Sequence, residues 1–146
     1  MREGWGLAYN PRTKTHFASD GSSKIFELSL HPSPVVKRTI PVTRTGGRAI
    51  EWLNDLEVVG DSLFANIYGS TDIAVIDLDS GLARFLDFSY VKNLAETYTR
   101  KISKRDLRED DVLNGIAYDL DSNKLIIAGK NWPLIFVIQL ESDKIN

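Results

Sequence analysis

The sequence predicts an all-β protein of the β-propeller class, in which four-stranded antiparallel sheets are arranged as blades around one axis. Short apolar segments of strand length recur along the 146 residues, and turn-forming residues separate them. Three of these segments align with one another, beginning at residues 5, 54 and 114. Each is followed by two further apolar segments. Repetition of three or four strands every 50 residues or so is typical of propeller blades.

The strands of each repeat are predicted from their apolar patterns and from the turns between them. The predicted innermost strands are Trp5–Asn10, Asn54–Val59 and Asn114–Asp119. The second strands are His16–Ser19, Leu63–Asn66 and Leu125–Ala128, and the third are Lys24–Leu28, Ile73–Leu78 and Leu134–Ile138. A fourth strand is predicted twice, at Val36–Val42 and Ala83–Phe88. A tight turn is predicted at Gly60-Asp61, between the first two strands of the second repeat. The segment Leu63–Ile67 is almost wholly apolar, which indicates a strand buried on both faces.

A short helical insertion is predicted near residues 91–104, within the segment 91–111 that separates the second and third repeats. Apolar residues recur there at helical steps, with lysine and arginine between them. These apolar residues are Val91, Leu94, Ala95, Tyr98 and Ile102. We therefore expect an amphipathic helix between two blades.

The whole chain, residues 1–146, is predicted to form one partial propeller domain. Its blades would span about residues 3–45, 52–90 and 112–146. Closed propellers generally have about four or more blades, because closure protects the sheet edges. We therefore expect a longer protein, completion by another chain, or self-association through the open blade edges.

Composition excludes several functional classes. The formal net charge is -2, which favours neither a nucleic-acid partner nor a membrane surface. No apolar run is long enough to span a bilayer, and the N-terminal residues do not have the pattern of a signal peptide. The absence of cysteine excludes thiolate metal sites. With only two histidines, the sequence offers little for a histidine-based metal site or a Ser-His triad. The compartment is not indicated.

Hairpin geometry predicts that five polar or aromatic side chains face one rim of the central channel. Antiparallel neighbours place the start of one strand beside the end of the next. The residues at innermost-strand starts are Trp5, Asn54 and Asn114, and those at second-strand ends are Tyr68 and Lys130. Packing of a hydrophobic core does not require polar groups at these strand ends, so we predict that the functional site lies at this rim.

Several motifs, in a constant order from Arg2 to about Leu140, resemble the plant- and bacterial-type glutaminyl cyclases, also called glutamine cyclotransferases. The matching segments are Glu3-Gly4-Trp5-Gly6-Leu7, Ser19-Asp20-Gly21-Ser22, Leu53-Asn54-Asp55-Leu56-Glu57, Phe64-Ala65-Asn66, Asp111-Val112-Leu113-Asn114-Gly115-Ile116-Ala117-Tyr118-Asp119 and Gly129-Lys130-Asn131-Trp132-Pro133. The resemblance implies a five-bladed propeller. It also implies conversion of the N-terminal glutamine of peptides to pyroglutamate, with release of ammonia.

The resemblance implies that Lys130 and Asn54 line the active site and polarise the γ-carbonyl of the substrate glutamine. That carbonyl oxygen gains negative charge during ring closure, and fixed hydrogen-bond donors stabilise it. Taken without the family, Lys130 is better explained as a solvated lysine after a strand. Asn54 is equally explained as a cap at a strand start.

The resemblance also implies substrate contacts for Trp5, Tyr68, Asn114 and Trp132. Aromatic walls would hold the glutamine side chain curled for ring closure. Tyr68 stands where the family usually has tryptophan, so the wall keeps its ring and gains a hydroxyl. Packing between blades is the alternative role for Trp5, and structural roles are alternatives for Asn114 and Trp132.

The family's catalytic glutamate lies upstream of the Glu-Gly-Trp-Gly motif, and no residue of this sequence matches it. Glu3, Asp55 and Glu57 are the nearest acids by motif, and none is assigned that role. No cofactor is expected, and a metal ion in the channel stays an open alternative. The competing hypothesis is a catalytically inactive truncated propeller that acts as a binding scaffold.

Overall fold

The computed structural model describes Met1 and residues 3–140, which form three antiparallel sheets and one helix. The first sheet contains β1 (Leu7–Asn10), β2 (Thr15–Ala18), β3 (Lys24–Ser29) and β4 (Val35–Pro41), in that order. The second contains β5 (Leu53–Val59), β6 (Ser62–Ile67), β7 (Asp72–Asp77) and β8 (Ala83–Asp87), also in order. The third contains β9 (Leu113–Asp119), β10 (Lys124–Gly129) and β11 (Phe136–Gln139).

The predicted repeat of meandering antiparallel strands is confirmed, with small differences at strand ends. The first strand begins at Leu7 instead of Trp5, although the Trp5 N–H still donates to the Ser19 carbonyl at 3.0 Å. The eleventh begins at Phe136 instead of Leu134, because its pairing with the tenth begins at the pair of Phe136 with Ile127. Residues 141–146 of the predicted third blade lie outside the described residues.

A two-residue turn joins β5 to β6, as predicted from the Gly60-Asp61 pair. Val59 pairs with Ser62 across it, and Gly60 has a φ of 60°. Tight hairpin turns of this kind need positive φ, which glycine adopts without steric cost. The turn therefore fixes the register as far as the pair of Leu56 with Ala65, and an irregularity shifts it by one residue before Leu53 pairs with Ile67.

The three sheets stack face to face, with their innermost strands adjoining. The strand β5 contacts both β1 and β9. One apolar cluster fills the space between the first and second sheets, and another lies between the second sheet, the third sheet and the helix. In β6, Leu63 and Ala65 belong to the first cluster and Phe64 to the second. The predicted burial of β6 on both faces is confirmed, and the arrangement is propeller-like. The five-blade count stays a prediction.

The helix α1 (Ser89–Ser103) begins two residues before the predicted insertion. Lys104, with a left-handed φ of 54°, is the residue that caps its C-terminal end. Its buried residues are Val91, Ala95 and Thr99, one every four positions. The predicted apolar stripe is therefore wrong at its C-terminal end, where Tyr98 and Ile102 are exposed. Thr99 can be buried at little cost because its hydroxyl donates to the Ala95 carbonyl at 2.7 Å. Within the described residues, no helix is long and apolar enough to cross a membrane.

Both outer faces of the stack carry exposed apolar side chains. On the first sheet these include Leu7, which is 63% exposed, and Tyr9, whose ring lies 4.6 Å from that of His16. On the third sheet Val137 is 61% exposed. Sheet faces of this composition can receive a further sheet. Self-association through the open blade edges stays a prediction.

Candidate active site

Three aromatic rings meet where the first and second sheets adjoin, and we call Trp5, Trp52 and Tyr68 the aromatic cluster. The ring centroids of Trp5 and Trp52 are 6.1 Å apart at an interplanar angle of 35°. Those of Trp5 and Tyr68 are 6.0 Å apart in an edge-to-face arrangement. Such pairs are favourable at this spacing. Trp52 is 54% exposed, so the cluster presents aromatic surface to solvent.

Backbone hydrogen bonds fix the three rings relative to one another. The Trp52 N–H donates to the Gly21 carbonyl at 2.8 Å, and the Tyr68 N–H donates to the Trp52 carbonyl at 2.9 Å. Gly21 has a φ of 76°, and a Cβ there would lie 2.9 Å from the Trp5 ring. Glycine is therefore required at this position for two reasons, backbone conformation and contact with the indole.

Trp52 itself has a backbone conformation that is unusual for a large side chain. Its φ is 66°, in the left-handed region that residues with a Cβ rarely adopt. Strain of this kind costs about 1 kcal/mol or more and persists where the surrounding structure enforces it. The hydrogen bonds to Gly21 and Tyr68 supply that constraint.

Lys130 completes the cluster from the third sheet. Its Nζ lies 4.9 Å from the centroid of the Tyr68 ring, within the range of a cation–π interaction. Its backbone N–H donates to the Val112 carbonyl at 2.9 Å, which continues the pairing of β9 and β10. The ammonium group is thus held over an aromatic wall, although the residue as a whole is exposed.

Asn54 lies two residues after Trp52 in the chain, where the first two sheets touch. The Ser19 hydroxyl donates to the Asn54 carbonyl at 2.6 Å and accepts from the Gly6 N–H at 2.9 Å. Asn54 is 8% exposed, and the backbone of Gly6 packs directly against it. This contact sets the spacing of the innermost strands β1 and β5.

Two polar side chains of the second sheet hold the start of β9. The Asn66 Oδ1 accepts from the Gly115 N–H, and the Asp55 Oδ2 accepts from the Ile116 N–H, both at 2.9 Å. Asp55 is therefore occupied in joining two sheets. Within the described residues, the buried Asn66 Nδ2 and Asn114 Oδ1 have no hydrogen-bond partner. These two atoms are free to bind a water molecule.

A buried carboxylate organises the loop that carries Lys130. Asp111 Oδ2 accepts from the Arg105 guanidinium at 2.5 Å and from the Arg108 N–H at 3.0 Å. Its Oδ1 accepts from the Asn131 amide at 2.8 Å. The hydrogen bond from the Arg108 backbone, then those from Arg105 and Asn131, lower the pKa of Asp111 to about 2.

Trp132 belongs to the same loop and lies in the hydrophobic core. Its indole N–H donates to the Asp111 carbonyl at 2.9 Å, and its ring packs edge-to-face on Phe136. The ring also covers Gly129, where a Cβ would lie 2.2 Å from it. Trp132 thus anchors the segment that contains Lys130, and its contact with substrate stays a prediction.

The Asp111 network predicts a specific acid sensitivity of the fold. The unfolded chain binds a proton at this carboxyl near its ordinary pKa of 3.8, whereas the folded protein resists protonation down to about 2. The free energy of unfolding therefore falls as pH drops through this window. We expect Asp111→Asn to flatten that fall, measured by urea unfolding at several pH values. An unchanged slope in the variant would contradict the assignment, and Asp110→Asn, which removes the exposed carboxyl of the preceding residue, is the matched control.

Among the described residues, the contacts above place no acidic side chain next to the Lys130 ammonium group. Glu57 is half-buried, and burial raises its pKa, with the Asp55 charge adding to the effect. It lies inside β5, in a cleft formed with Tyr9, Pro11 and Tyr118 at the opposite end of the strands. Within residues 1 and 3–140, no three His, Cys, Asp or Glu side chains are grouped closely enough to hold a metal ion.

The structure brings together three of the six residues predicted for the site, and one that the sequence analysis missed. Trp5 and Lys130 both contact Tyr68, whereas Asn54 lies near the start of β5 and Asn114 near the start of β9. The missed residue is Trp52. A tryptophan two positions before Asn54, at the entry to an innermost strand, was the available signal, since Trp5 has the same kind of position.

The fold and site define a propeller-like protein whose rim carries an aromatic cluster with a lysine ammonium over its Tyr68 ring. The sequence profile of glutamine cyclotransferase matches residues 1–140. The chain belongs to the glutamine cyclotransferase family. The resemblance found in its motifs is thus confirmed.

Two relatives extend this result. The Arabidopsis thaliana protein named glutaminyl-peptide cyclotransferase is 35% identical over 141 residues, covering 97% of this chain and 41% of the relative. The crystal structure of Myxococcus xanthus glutaminyl cyclase superimposes with a TM-score of 0.79 at 28% identity, covering 97% of this chain and 56% of that one. The chain therefore spans about half the length of the proteins it matches.

Proposed function

We propose that the chain forms part of a glutaminyl-peptide cyclotransferase, which converts the N-terminal glutamine of peptides to pyroglutamate and releases ammonia. The observation that supports this most directly is the Lys130 ammonium over Tyr68, beside Trp5, in a member of the glutamine cyclotransferase family. The competing hypothesis of an inactive scaffold is not favoured by the family or by its relatives.

The reaction makes three demands on a protein. The α-amine must attack the γ-carbonyl as a neutral base, the carbonyl oxygen must be stabilised as it becomes negative, and a proton must reach the leaving ammonia. Ring closure also requires a curled side chain, which a fixed pocket favours over the extended one. Each demand can be compared with the residues of this site.

The chain's own residues supply the pocket and the positive charge. In our proposal the rings of Trp5, Trp52 and Tyr68 enclose the methylene groups of the substrate glutamine. The Lys130 ammonium donates a hydrogen bond to the γ-carbonyl oxygen, and this bond strengthens as negative charge develops there. The Asn54 amide is the proposed second donor. No acid of this chain is assigned to the proton transfer, since Asp55 is bound to the Ile116 N–H.

A turnover assay tests the proposal. The 146-residue chain, and a longer form of the protein that contains it, are incubated with a peptide that begins with glutamine. We expect release of ammonia and the corresponding loss of mass from the peptide, at least in the longer form. The same peptide with an acetylated N-terminus has no nucleophile and is the control. No turnover above the spontaneous rate in the longer form would refute the function.

Replacing Trp52 by glycine is expected to lower activity while leaving stability nearly unchanged. Glycine adopts positive φ without cost, so Trp52→Gly should leave the free energy of unfolding within about 1 kcal/mol of the parent. Loss of the indole should lower kcat/KM about tenfold, because one wall of the pocket is removed. Denaturant unfolding and steady-state kinetics measure the two. Trp52→Phe should restore most of the activity, and equal kcat/KM for all three proteins would exclude a role in the pocket.

A further inference from the structure

A second concave feature begins at the aromatic cluster and extends away from it. It is a cleft of about 620 Å³, and Trp52 lines it as well as the cluster. One wall is the connector between β4 and β5, residues 42–52. The other is the second sheet, which contributes Ile67 from β6, Asp72 from β7 and Phe85 from β8. Because these strands follow one another outward, the cleft runs from the inner rim to the outermost strand.

A hairpin in the connector places two arginines on this cleft. Arg44 and Arg48 face each other across a glycine turn, in which the Arg44 N–H donates to the Arg48 carbonyl at 3.0 Å. The turn residues Gly46 and Gly47 have φ of 90° and 78°, so the tight reversal depends on glycine. Thr43 bonds to the β7–β8 region, which fixes the base of the hairpin.

The two guanidinium groups are available to a ligand. Both arginines are exposed, and no ion pair found between described residues involves either of them. Glu51 and Asp72 also line the cleft, but Glu51 adjoins Trp52 and Asp72 begins β7. Among the described residues, neither acid forms an ion pair with Arg44 or Arg48, so both guanidinium groups keep hydrogen-bond donors for a ligand. Paired guanidinium groups bind carboxylates through charge-assisted hydrogen bonds.

We infer that this cleft receives the residues that follow the N-terminal glutamine of a peptide substrate, with Arg44 and Arg48 favouring acidic side chains. The inference rests on the proposed function. When the glutamine side chain and α-amine occupy the aromatic cluster, the rest of the peptide must leave the pocket. The cleft that shares Trp52 offers a path of suitable size. The side chains of its walls would then determine which residues are preferred after the N-terminal glutamine.

Binding measurements with the 146-residue chain test this directly. Two peptides begin with glutamine and glycine and continue with two glutamates or two lysines. We expect the glutamate peptide to bind about tenfold more tightly by titration calorimetry, and added salt to reduce the difference. The double variant Arg44→Ala/Arg48→Ala should lose the preference. Arg84→Ala removes an exposed arginine on β8 and should retain it.

The outcomes separate this inference from the proposed function. Equal affinity for the two tails, a preference that survives the double substitution, or no measurable binding of either peptide overturns the inference. A third peptide, with alanine in place of the N-terminal glutamine and the acidic tail kept, addresses the function. If it binds as tightly as the glutamine peptide, glutamine recognition fails, while the arginine variants still decide the role of the cleft.

Discussion

Replacing Lys130 by alanine, in a form of the protein that turns over, is expected to lower kcat by at least about tenfold. In our proposal the ammonium group donates to the oxygen that becomes negative during ring closure. A donor of this kind acts more strongly on the transition state than on the bound substrate, so kcat should fall more than KM rises. Steady-state kinetics with a peptide that begins with glutamine measures both constants.

Two control variants sharpen the Lys130 experiment. Lys37→Ala removes an exposed lysine on β4, the outermost strand of the first sheet, and should leave kcat unchanged. Lys130→Arg keeps the charge and the stacking on Tyr68 but changes the donor geometry, so partial activity is expected. If Lys130→Ala turns over at the parent rate, the residue returns to the role of a solvated lysine after a strand.

The repeat in the sequence was sufficient to predict the fold, because strand propensity and turn chemistry act locally. The segment around Phe64 is apolar at consecutive positions, and this correctly predicted a strand buried on both faces, between two hydrophobic clusters. The Gly60-Asp61 turn correctly predicted a hairpin. The helix was predicted from its period, but its apolar stripe was not, since burial of Thr99 instead of Tyr98 depends on how the helix is tilted against the second sheet.

The site was predicted less completely, because its support consists of contacts between residues distant in the chain. Tyr68 and Lys130 could be placed together from hairpin geometry alone. The carboxylate of Asp111 could not be connected to Arg105 and Asn131 from spacing, since these bonds depend on how a loop folds after the helix. Trp52 was missed because its backbone has a positive φ. No sequence propensity predicts that conformation for tryptophan, so the position of its ring could not be inferred.

The contact between β1 and β5 connects the fold to the site more closely than any other. Gly6 lies between Trp5, which is part of the aromatic cluster, and the first residue of β1. A Cβ on Gly6 would lie 2.1 Å from the Asn54 carbonyl oxygen and 3.0 Å from the Asp55 Cα. These are backbone atoms, so no side-chain rotation can relieve the clash. The sheets must separate there, and the hydrogen bond from Ser19 to Asn54 is strained at the same time.

Gly6→Ala is therefore expected to lower the free energy of unfolding by about 3 kcal/mol, at the upper end of the cost of overpacking. Urea unfolding followed by tryptophan fluorescence measures the change, and the fluorescence of the folded state should shift as Trp5 moves away from Trp52. Gly4→Ala is the matched control, because a Cβ on Gly4 meets no atom within 4 Å, and it should be close to neutral. Equal stability of the two variants would show that the first two sheets do not depend on this approach of their backbones.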